Sequence, residues 1–352
     1  MIRGYMKKLS KIEIRNYART LIPILENSEL DGTRSIRIAD TIISYAFKGT
    51  KPWYKRASAL QGFVSPSFNP MRVIEGYLVY PIPGLNPVVI QSSILGNAYL
   101  FLDIIGAGGG GGGGASGTVG SSSGNGQGGG GGADGGRLIV MTQGPIPPGT
   151  QFIPAFGGPG GVGNPGPSTG CGNGGNDPGP SGNTQVVLTN GTISITVPGG
   201  PPPSMPTPPS GQCSGGLGGP GGSAAFTYLS NTSILSTIQL LPRSTANATA
   251  NVNSGNGGQG VGSEYFDPTN STPIFISNPL GTLVNGGGAG VSGNTNGKNG
   301  ISATVNVPSG TIPLRGSGSG GGGGLNSSLG PASPGGNGGP GGPGPIIILV
   351  ID

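Results

Sequence analysis

Hydrophobic positions near the start of the chain follow the spacing of an α-helix. Ser10 and Glu13 have the spacing of a capping box, which indicates a helix N-terminus. The predicted helix covers residues 10–22, and Pro23 ends or kinks it. Its apolar face consists of Ile14, Tyr17, Leu21 and Ile22. A weaker helical pattern covers residues 38–47, so the first part of the chain is predicted to contain short helices.

From residue 76 onward the apolar residues form short islands instead. Several islands are rich in β-branched residues and partly alternate apolar with polar positions, a pattern typical of strands. The islands are Tyr77–Val89, Tyr99–Ile105, Leu138–Met141, Val186–Val197, Phe226–Leu241, Pro273–Val284, Ile301–Leu314 and Ile346–Ile351. We expect these islands to supply the hydrophobic burial that the intervening glycine tracts cannot.

Three glycine tracts keep a glycine-glycine-X register, at residues 157–162, 215–223 and 335–343. A polyproline II helix has three residues per turn and no internal hydrogen bonds, so such segments must bond to neighbours. Two of every three residues here are glycine, which leaves two edges of the helix bare and favours several neighbours over a collagen rope. The predicted fold is mainly β and irregular: a polyglycine II helix bundle (sandwich) layered with short β-strands, preceded by a small α-containing N-terminal segment.

Composition and charge divide the chain into two parts. The chain has 79 Gly and 35 Pro in 352 residues, a composition outside that of ordinary globular proteins. Only 8% of the residues are charged, which argues against intrinsic disorder. Residues 1–75 hold 13 Lys and Arg against 6 Asp and Glu, whereas the remainder has 4 against 6. We therefore predict a basic attachment segment over 1–75 and a glycine-rich body with connecting loops over 76–352.

Candidate catalytic and metal-binding residues are few. The chain has no histidine, so a serine nucleophile would have no imidazole base, and its two cysteines are too few for a structural zinc site. Glu264 and Asp267 could form a glycosidase-like pair, but carboxylates in such a segment more often form turns. We predict no enzymatic activity, no cofactor and no metal. Cys171 and Cys213 could form a disulfide outside cells or remain free thiols.

One aromatic and basic cluster lies in the N-terminal segment and consists of Trp53, Tyr54, Lys55 and Arg56. Basic residues beside aromatic rings can bind nucleic acid, but this cluster is short. The interpretation as a partner-docking patch or a solvated surface is favoured over a nucleic-acid site.

A second aromatic group lies in the body, in residues 261–279. Its residues Tyr265, Phe266 and Phe275 are predicted to bind a receptor, because aromatic residues on loops held by a stiff frame are favoured in recognition. The alternative is a small hydrophobic cluster that caps the end of the bundle.

The sequence shows no membrane or secretion signal. Residues 1–8 lack the apolar region of a signal peptide, and no apolar run reaches membrane length. We expect no membrane insertion, synthesis in a host cytoplasm, and release by lysis or another route.

The strand-to-glycine transition over 99–108, the G-G-X tracts and the varied segments between them resemble the glycine-rich tail-fibre tip adhesins of T-even-like tailed phages and, more widely, the glycine-rich domains of viral fibre proteins. The resemblance covers residues 76–352. It implies a polyglycine II sandwich as a rigid body, with loops that bind the host receptor and an N-terminal region that attaches to the fibre. Residues 1–75 depart from the usual attachment segment of that family, which leaves the position in a virion open.

The predicted function is a non-enzymatic virion structural protein, a tail-fibre or spike tip adhesin at the surface of the extracellular particle. Its expected partners are other virion or fibre proteins, through residues 1–75, and a host cell-surface receptor, either protein or glycan; a homo-oligomer stays open. The alternatives are a minor capsid or cement protein, an extracellular filament subunit, and an ice-binding protein.

Overall fold

The computed structural model describes the residues that carry the two main sheets, the helix and several short strands. These residues are 5–26, 29–30, 41–43, 45, 73–81, 88–89, 99–113, 132, 135–142, 149–158, 182–187, 194–200, 228–229, 235–239, 260–262, 265–266, 275–276, 282–284, 304–307, 310–313 and 336–351. The predicted tract at 215–223 lies outside them, and so does Trp53–Arg56.

The described part of the chain is mostly antiparallel β-sheet with little helix, which confirms the predicted mainly-β class. In chain order the elements are β1 Tyr5–Lys8, α1 Lys11–Glu26, β2 Glu29–Leu30, β3 Val73–Tyr80, β4 Val88–Val89, β5 Tyr99–Ile105, β6 Arg137–Thr142, β7 Gln151–Ile153, β8 Thr184–Val187, β9 Ser194–Val197, β10 Tyr228–Leu229, β11 Leu235–Gln239, β12 Gly260–Gly262, β13 Tyr265–Phe266, β14 Phe275–Ile276, β15 Thr282–Val284, β16 Thr304–Val307, β17 Gly310–Pro313 and β18 Ile346–Ile351. Every predicted island overlaps at least one strand.

Two sheets dominate the architecture. The larger has seven strands in the order β1-β3-β18-β5-β6-β11-β2, and the smaller has five in the order β10-β9-β8-β7-β4. Three further pairs, β12–β15, β13–β14 and β16–β17, form two-stranded sheets. The last strand in the chain, β18, therefore lies in the middle of the larger sheet, antiparallel to both β3 and β5.

The larger sheet is buried on both faces because α1 covers one and the smaller sheet covers the other. Along β18, Ile347, Leu349 and Ile351 belong to the core beneath α1. The alternate residues, Ile346, Ile348 and Val350, belong to the core between the two sheets. A strand covered on both faces needs apolar side chains at every position, which explains the uninterrupted run IIILVI.

The helix α1 begins with the predicted capping box. Glu13 N–H donates to Ser10 Oγ at 3.3 Å, and Ser10 N–H donates to Glu13 Oε2 at 2.5 Å. The apolar face predicted for this helix is buried, and Tyr17 and Leu21 are 2% and 0% exposed. The helix continues through Pro23 to Glu26, so the proline does not end it. Within the second predicted helix, residues 41–43 and 45 are helical.

Residues on both sides of the predicted boundary at residue 75 share one sheet. The strand β3 crosses the boundary, and β1 pairs with β3 from Tyr5↔Tyr80 to Lys8↔Tyr77. The strand β1 and the helix α1 thus belong to the same packed unit as β5 and β18. The division into an attachment segment and a body stays a prediction.

Candidate functional site

At one end of the sandwich, strands of both sheets continue as glycine-rich backbone. In the larger sheet, β5 continues into residues 106–113, and residues 336–345 lead into β18. In the smaller sheet, β7 and β9 continue into 154–158 and 198–200. We call the described residues of this region, 106–113, 132, 135–136, 154–158, 198–200 and 336–345, the glycine junction.

Backbone hydrogen bonds in the glycine junction recur at every third residue. Between segments 105–111 and 339–345, which run antiparallel, the bonds are Ile105 N–H to Pro345 O at 3.2 Å, Gly108 N–H to Gly342 O at 2.8 Å and Gly111 N–H to Gly339 O at 2.9 Å. Burial along 336–343 has the same spacing, because positions 336, 339 and 342 are buried whereas positions 337 and 340 are exposed. The X residues Asn337 and Pro340 thus lie on the outside, and the third X residue, Pro343, is half-buried.

Segments that continue the two different sheets bond directly to each other in the glycine junction. The bonds are Gly136 N–H to Pro198 O at 3.0 Å, Gly200 N–H to Ala107 O at 2.7 Å, Gly158 N–H to Gly108 O at 2.9 Å and Gly341 N–H to Gly158 O at 2.8 Å. Face-to-face sheets with side chains between them lie about 10 Å apart, whereas hydrogen-bonded chains lie about 4.8 Å apart. The two layers can therefore merge where most residues are glycine and no large side chain lies between them.

Substitution of these glycines would bring a side chain into a neighbouring backbone. A Cβ atom at Gly338 or Gly341 would lie 1.9 Å from the carbonyl oxygen of Gly111 or Gly108 respectively, and real Cβ atoms essentially never come within 3.0 Å. A Cβ at Gly106 would lie 2.2 Å from Pro198 O. Each of these glycines is needed for the close approach of two segments of the chain.

A buried threonine joins the two sheets at the start of the glycine junction. Thr184 on β8 is fully buried, and its Oγ1 lies 2.6 Å from Ile105 O and 3.2 Å from Gly344 O. Its single hydroxyl proton can be donated to Ile105 O, the nearer acceptor, or shared with Gly344 O, at the level where β5 and β18 become glycine-rich. This side chain therefore satisfies backbone acceptors where the gap between the sheets narrows.

The chain leaves the glycine junction several times in the same direction. Segments 106–113, 154–158 and 198–200 run away from the sheets, and segments 132–136 and 336–345 run back toward them. The connections that follow residues 113, 158 and 200 consequently start from the same end of the glycine junction, the end away from the sheets. They lie outside the described residues, together with Cys171 and Cys213.

The three predicted receptor-binding residues lie on the small hairpin of β13 and β14. Phe266 and Phe275 are Cα partners across the two strands, and Tyr265 is paired with Ile276. Cα atoms of β14 come within 8 Å of Cα atoms in α1, which places the hairpin beside the helix. The backbone pairing brings these residues together; their receptor-binding role stays a prediction.

A buried polar cluster beneath α1 was not predicted from the sequence. Arg137 Nε donates to Asp103 Oδ1 at 2.8 Å, Arg137 Nη2 donates to Asp103 Oδ2 at 2.5 Å, and Tyr17 Oη donates to Asp103 Oδ2 at 2.6 Å. Asp103 is 0% exposed, and the Arg137 side chain is 6% exposed. The available signal was a lone carboxylate within the apolar run YLFLDII of β5 and a lone arginine at the start of β6.

The pKa shifts in this cluster keep Tyr17 protonated and Arg137 charged. Burial, reinforced by the charge of Asp103, raises the pKa of Tyr17 well above its ordinary value, so the phenol stays protonated and donates. Burial opposes the charge on Arg137, but the attraction of Asp103 outweighs it and raises the pKa of the guanidinium. Through Tyr17 and Arg137, Asp103 thus joins α1 to the adjacent strands β5 and β6.

No protein-family model matches the sequence, and a search of curated proteins finds no match. Within the part of the chain that the structure describes, no group of three or more His, Cys, Asp or Glu could hold a metal ion. Nor does any helix described there have the length and apolar character needed to cross a membrane.

Proposed function

We propose that the glycine junction is a polyglycine II bundle, in which segments from both sheets pack as three-fold extended helices. The support is the three-residue spacing of the bonds at Ile105, Gly108 and Gly111, and the matching spacing of buried and exposed positions in 336–343. The segment 106–113 is buried at every position and bonds to several neighbours, as a bundle rather than a collagen rope requires.

We propose that the protein is a non-enzymatic structural component of a virion surface, a tail-fibre or spike tip adhesin that presents loops to a host receptor. The observation that carries this proposal is the direct bonding of the two sheets through the glycine junction, which gives a stiff body from which several connections leave in one direction. Loops whose ends are held by a rigid frame lose less conformational entropy on binding.

The receptor-binding part of this proposal can be tested on the hairpin. The variant Tyr265→Ala/Phe266→Ala/Phe275→Ala should lose at least about tenfold in affinity for host cells or outer-membrane components, a typical loss for aromatic anchors. The matched control is Ile12→Ala, which removes an apolar side chain that is 71% exposed on α1. Melting curves of both variants establish that each still folds, so that a loss of binding can be assigned to the aromatic side chains. Unchanged binding by the triple variant would exclude the hairpin as the receptor site.

The attachment part requires a separate measurement. The variant Trp53→Ala/Lys55→Ala/Arg56→Ala should reduce incorporation into particles while the purified protein still binds cells. If incorporation is normal, the docking patch lies elsewhere.

A second candidate is a minor capsid protein or an extracellular filament subunit. It is favoured by the packing of β1 and α1 into the same core as β5 and β18, because such a subunit contacts its neighbours through its body. Electron cryomicroscopy of the intact particle distinguishes the two: an adhesin lies at an exposed tip, whereas a capsid or filament subunit is surrounded by other subunits.

A further inference from the structure

The strand β18 joins two parts of the larger sheet. In the order of its described strands, β1 and β3 lie on one side of β18, and β5, β6, β11 and β2 lie on the other. The strand makes six residue pairs with β3 and six with β5. Within the described strands, the ladder of backbone hydrogen bonds from one part of the sheet to the other therefore runs through β18.

The chain enters β3 and leaves β5 at opposite ends of this sheet. Ile346 is the Cα partner of Val79 and of Ile104, at the end next to the glycine junction, whereas Ile351 is paired with Val73 at the far end. The chain thus enters β3 at the far end and continues from β5 into the glycine junction. A tension between these two points is parallel to the strands.

Tension in this direction loads β18 in shear. The hydrogen bonds of an antiparallel pair are perpendicular to the strands. A force along the strands therefore acts on all six pairs between β18 and β3 at once, and these pairs must break together. A force across the strands opens one pair at a time, starting from an end. The same ladder is consequently strong in the first direction and weak in the second.

Other described contacts add to this link but supply fewer directional bonds. The residue before α1 is joined to β3 by a bond from Leu9 N–H to Gly76 O at 2.8 Å. The helix itself is joined to β5 by the bond from Tyr17 Oη to Asp103 Oδ2 at 2.6 Å. These are single bonds, whereas β18 contributes two complete rows of pairs, so the resistance to lengthwise tension is concentrated in β18.

We propose that β18 is a mechanical clamp that keeps the far end of β3 joined to the glycine junction when the protein is under lengthwise tension. That a particle applies such tension rests on the proposed function, in which residues 1–75 attach to a fibre and loops beyond the glycine junction hold a receptor. The clamp itself belongs to the sheet and is measured on the purified protein without receptor or particle, so the clamp and the adhesin can fail separately.

The test measures detachment forces with optical tweezers on the full chain. In a background of Cys171→Ser/Cys213→Ser, the lengthwise pair of handles is attached at Ile74→Cys, on β3, and Asn337→Cys, in the glycine junction. Ile74 is 52% exposed and Asn337 is exposed, so both positions can carry a handle. Melting curves establish that each variant folds. Pro340→Cys, at another exposed position of the same segment, repeats the lengthwise measurement.

The crosswise pair of handles uses Ile74→Cys and a cysteine added after Asp352. These attachment points adjoin the paired residues Val73 and Ile351, so tension opens the ladder between β3 and β18 from the far end. At one loading rate, we expect the lengthwise detachment force to be at least about twofold the crosswise force, because all pairs break in one step. A lengthwise force equal to or below the crosswise force would overturn the clamp.

A matched pair of variants locates the site of detachment. Ile348 on β18 and Ile195 on β9 belong to the same core between the sheets and are 0% and 1% exposed. Under constant lengthwise tension, Ile348→Val should detach roughly two- to tenfold faster than the wild type, whereas Ile195→Val should detach at the wild-type rate. Equal acceleration in both variants, or none in Ile348→Val, would show that detachment does not occur at β18 and would overturn the proposal.

Discussion

The sandwich and the glycine junction bury the same strands in opposite ways. The seven residues of β5 have large side chains that pack in the apolar cores; Leu102, for example, is 1% exposed between the sheets. Over the next eight residues, 106–113, the same chain is buried at every position with almost no side chains, and its neighbours bond to its backbone. Burial is therefore achieved by filling the space between two sheets in one region and by removing that space in the other.

This difference separates the energetics of the two regions. Burial of a large apolar side chain in the sandwich contributes about 1.5–3 kcal/mol. Each ordered glycine in the glycine junction costs roughly 0.5–1 kcal/mol relative to alanine, offset by hydrogen bonds of about 1 kcal/mol each. The sandwich thus provides the stability on which the glycine junction depends, and the glycine junction has the stricter steric requirement.

The largest expected effect contrasts two adjacent residues that receive the same side chain. In Gly106→Val the new Cβ would lie 2.2 Å from Pro198 O, so we expect a loss of more than about 4 kcal/mol in unfolding free energy. In Ile105→Val a core side chain loses one methylene group, and we expect a loss of about 1 kcal/mol. Urea unfolding of both variants checks the pair. Similar losses for the two variants would contradict the steric difference between the regions.

The next effect concerns the buried cluster beneath α1. Asp103→Asn leaves the charge of Arg137 buried without its carboxylate, so the unfolding free energy should fall by about 3–5 kcal/mol. The control Tyr17→Phe removes the hydroxyl that donates to Asp103 but leaves both charges in place, so it should cost less, about 1.5–3 kcal/mol. The variant Asp103→Leu/Arg137→Met removes both charges and should be more stable than Asp103→Asn. If the double variant is the least stable of the three, the charge pair itself stabilises the fold.

A smaller effect tests whether the glycine junction depends on the sandwich. Leu102→Ala should lower the unfolding free energy by about 3 kcal/mol through a cavity between the sheets. Amide exchange at Gly108 and Gly111 should then accelerate together with that of the core strands, although no bond in the glycine junction is changed. The surface variant Ile12→Ala should leave both rates unchanged. Exchange at Gly108 that does not respond to Leu102→Ala would make the two regions independent.

The smallest effect lies at the capping box of α1, outside both regions of the comparison. Burial by itself would raise the pKa of Glu13, but the hydrogen bonds that it accepts from Ser10 and Lys7 outweigh burial and lower it. The resulting stabilisation is present above the unfolded-state pKa of about 4.3 and is lost as the pH falls through the lower folded-state value. The advantage of the wild type over Glu13→Gln, about 1 kcal/mol at pH 7, should therefore shrink as the pH falls below about 4.3 and disappear once Glu13 is protonated in the folded state as well. A constant difference across this range would contradict the ionised capping box.

Sequence patterns predicted those elements whose signal is local. The apolar islands at 99–105 and 346–351 coincide with β5 and β18, and the G-G-X register of 335–343 matches the observed order of exposed and buried positions. Both signals come from a repeat within a few residues. The capping box at Ser10 is local in the same sense.

The elements that were missed depend on contacts between distant parts of the chain. The run of glycines at 106–113 has no triplet register, so its sequence could not indicate that it lies at the centre of the glycine junction. The insertion of β18 between β3 and β5 joins segments more than 240 residues apart, and no repeat encodes such a pairing. The partners of Asp103 are likewise set by the fold, because Tyr17 and Arg137 lie on α1 and β6.

In our interpretation of the glycine junction, backbone packing with a three-residue period closes one end of the sandwich. An alanine scan of residues 336–343, with the unfolding free energy measured for each variant, tests it most directly. We predict large losses at Gly338 and Gly341, where a Cβ would lie 1.9 Å from a carbonyl oxygen, and small changes at the exposed positions Asn337 and Pro340, so that tolerance of substitution repeats every three residues. Losses of equal size at all eight positions, or none at Gly338 and Gly341, would contradict it.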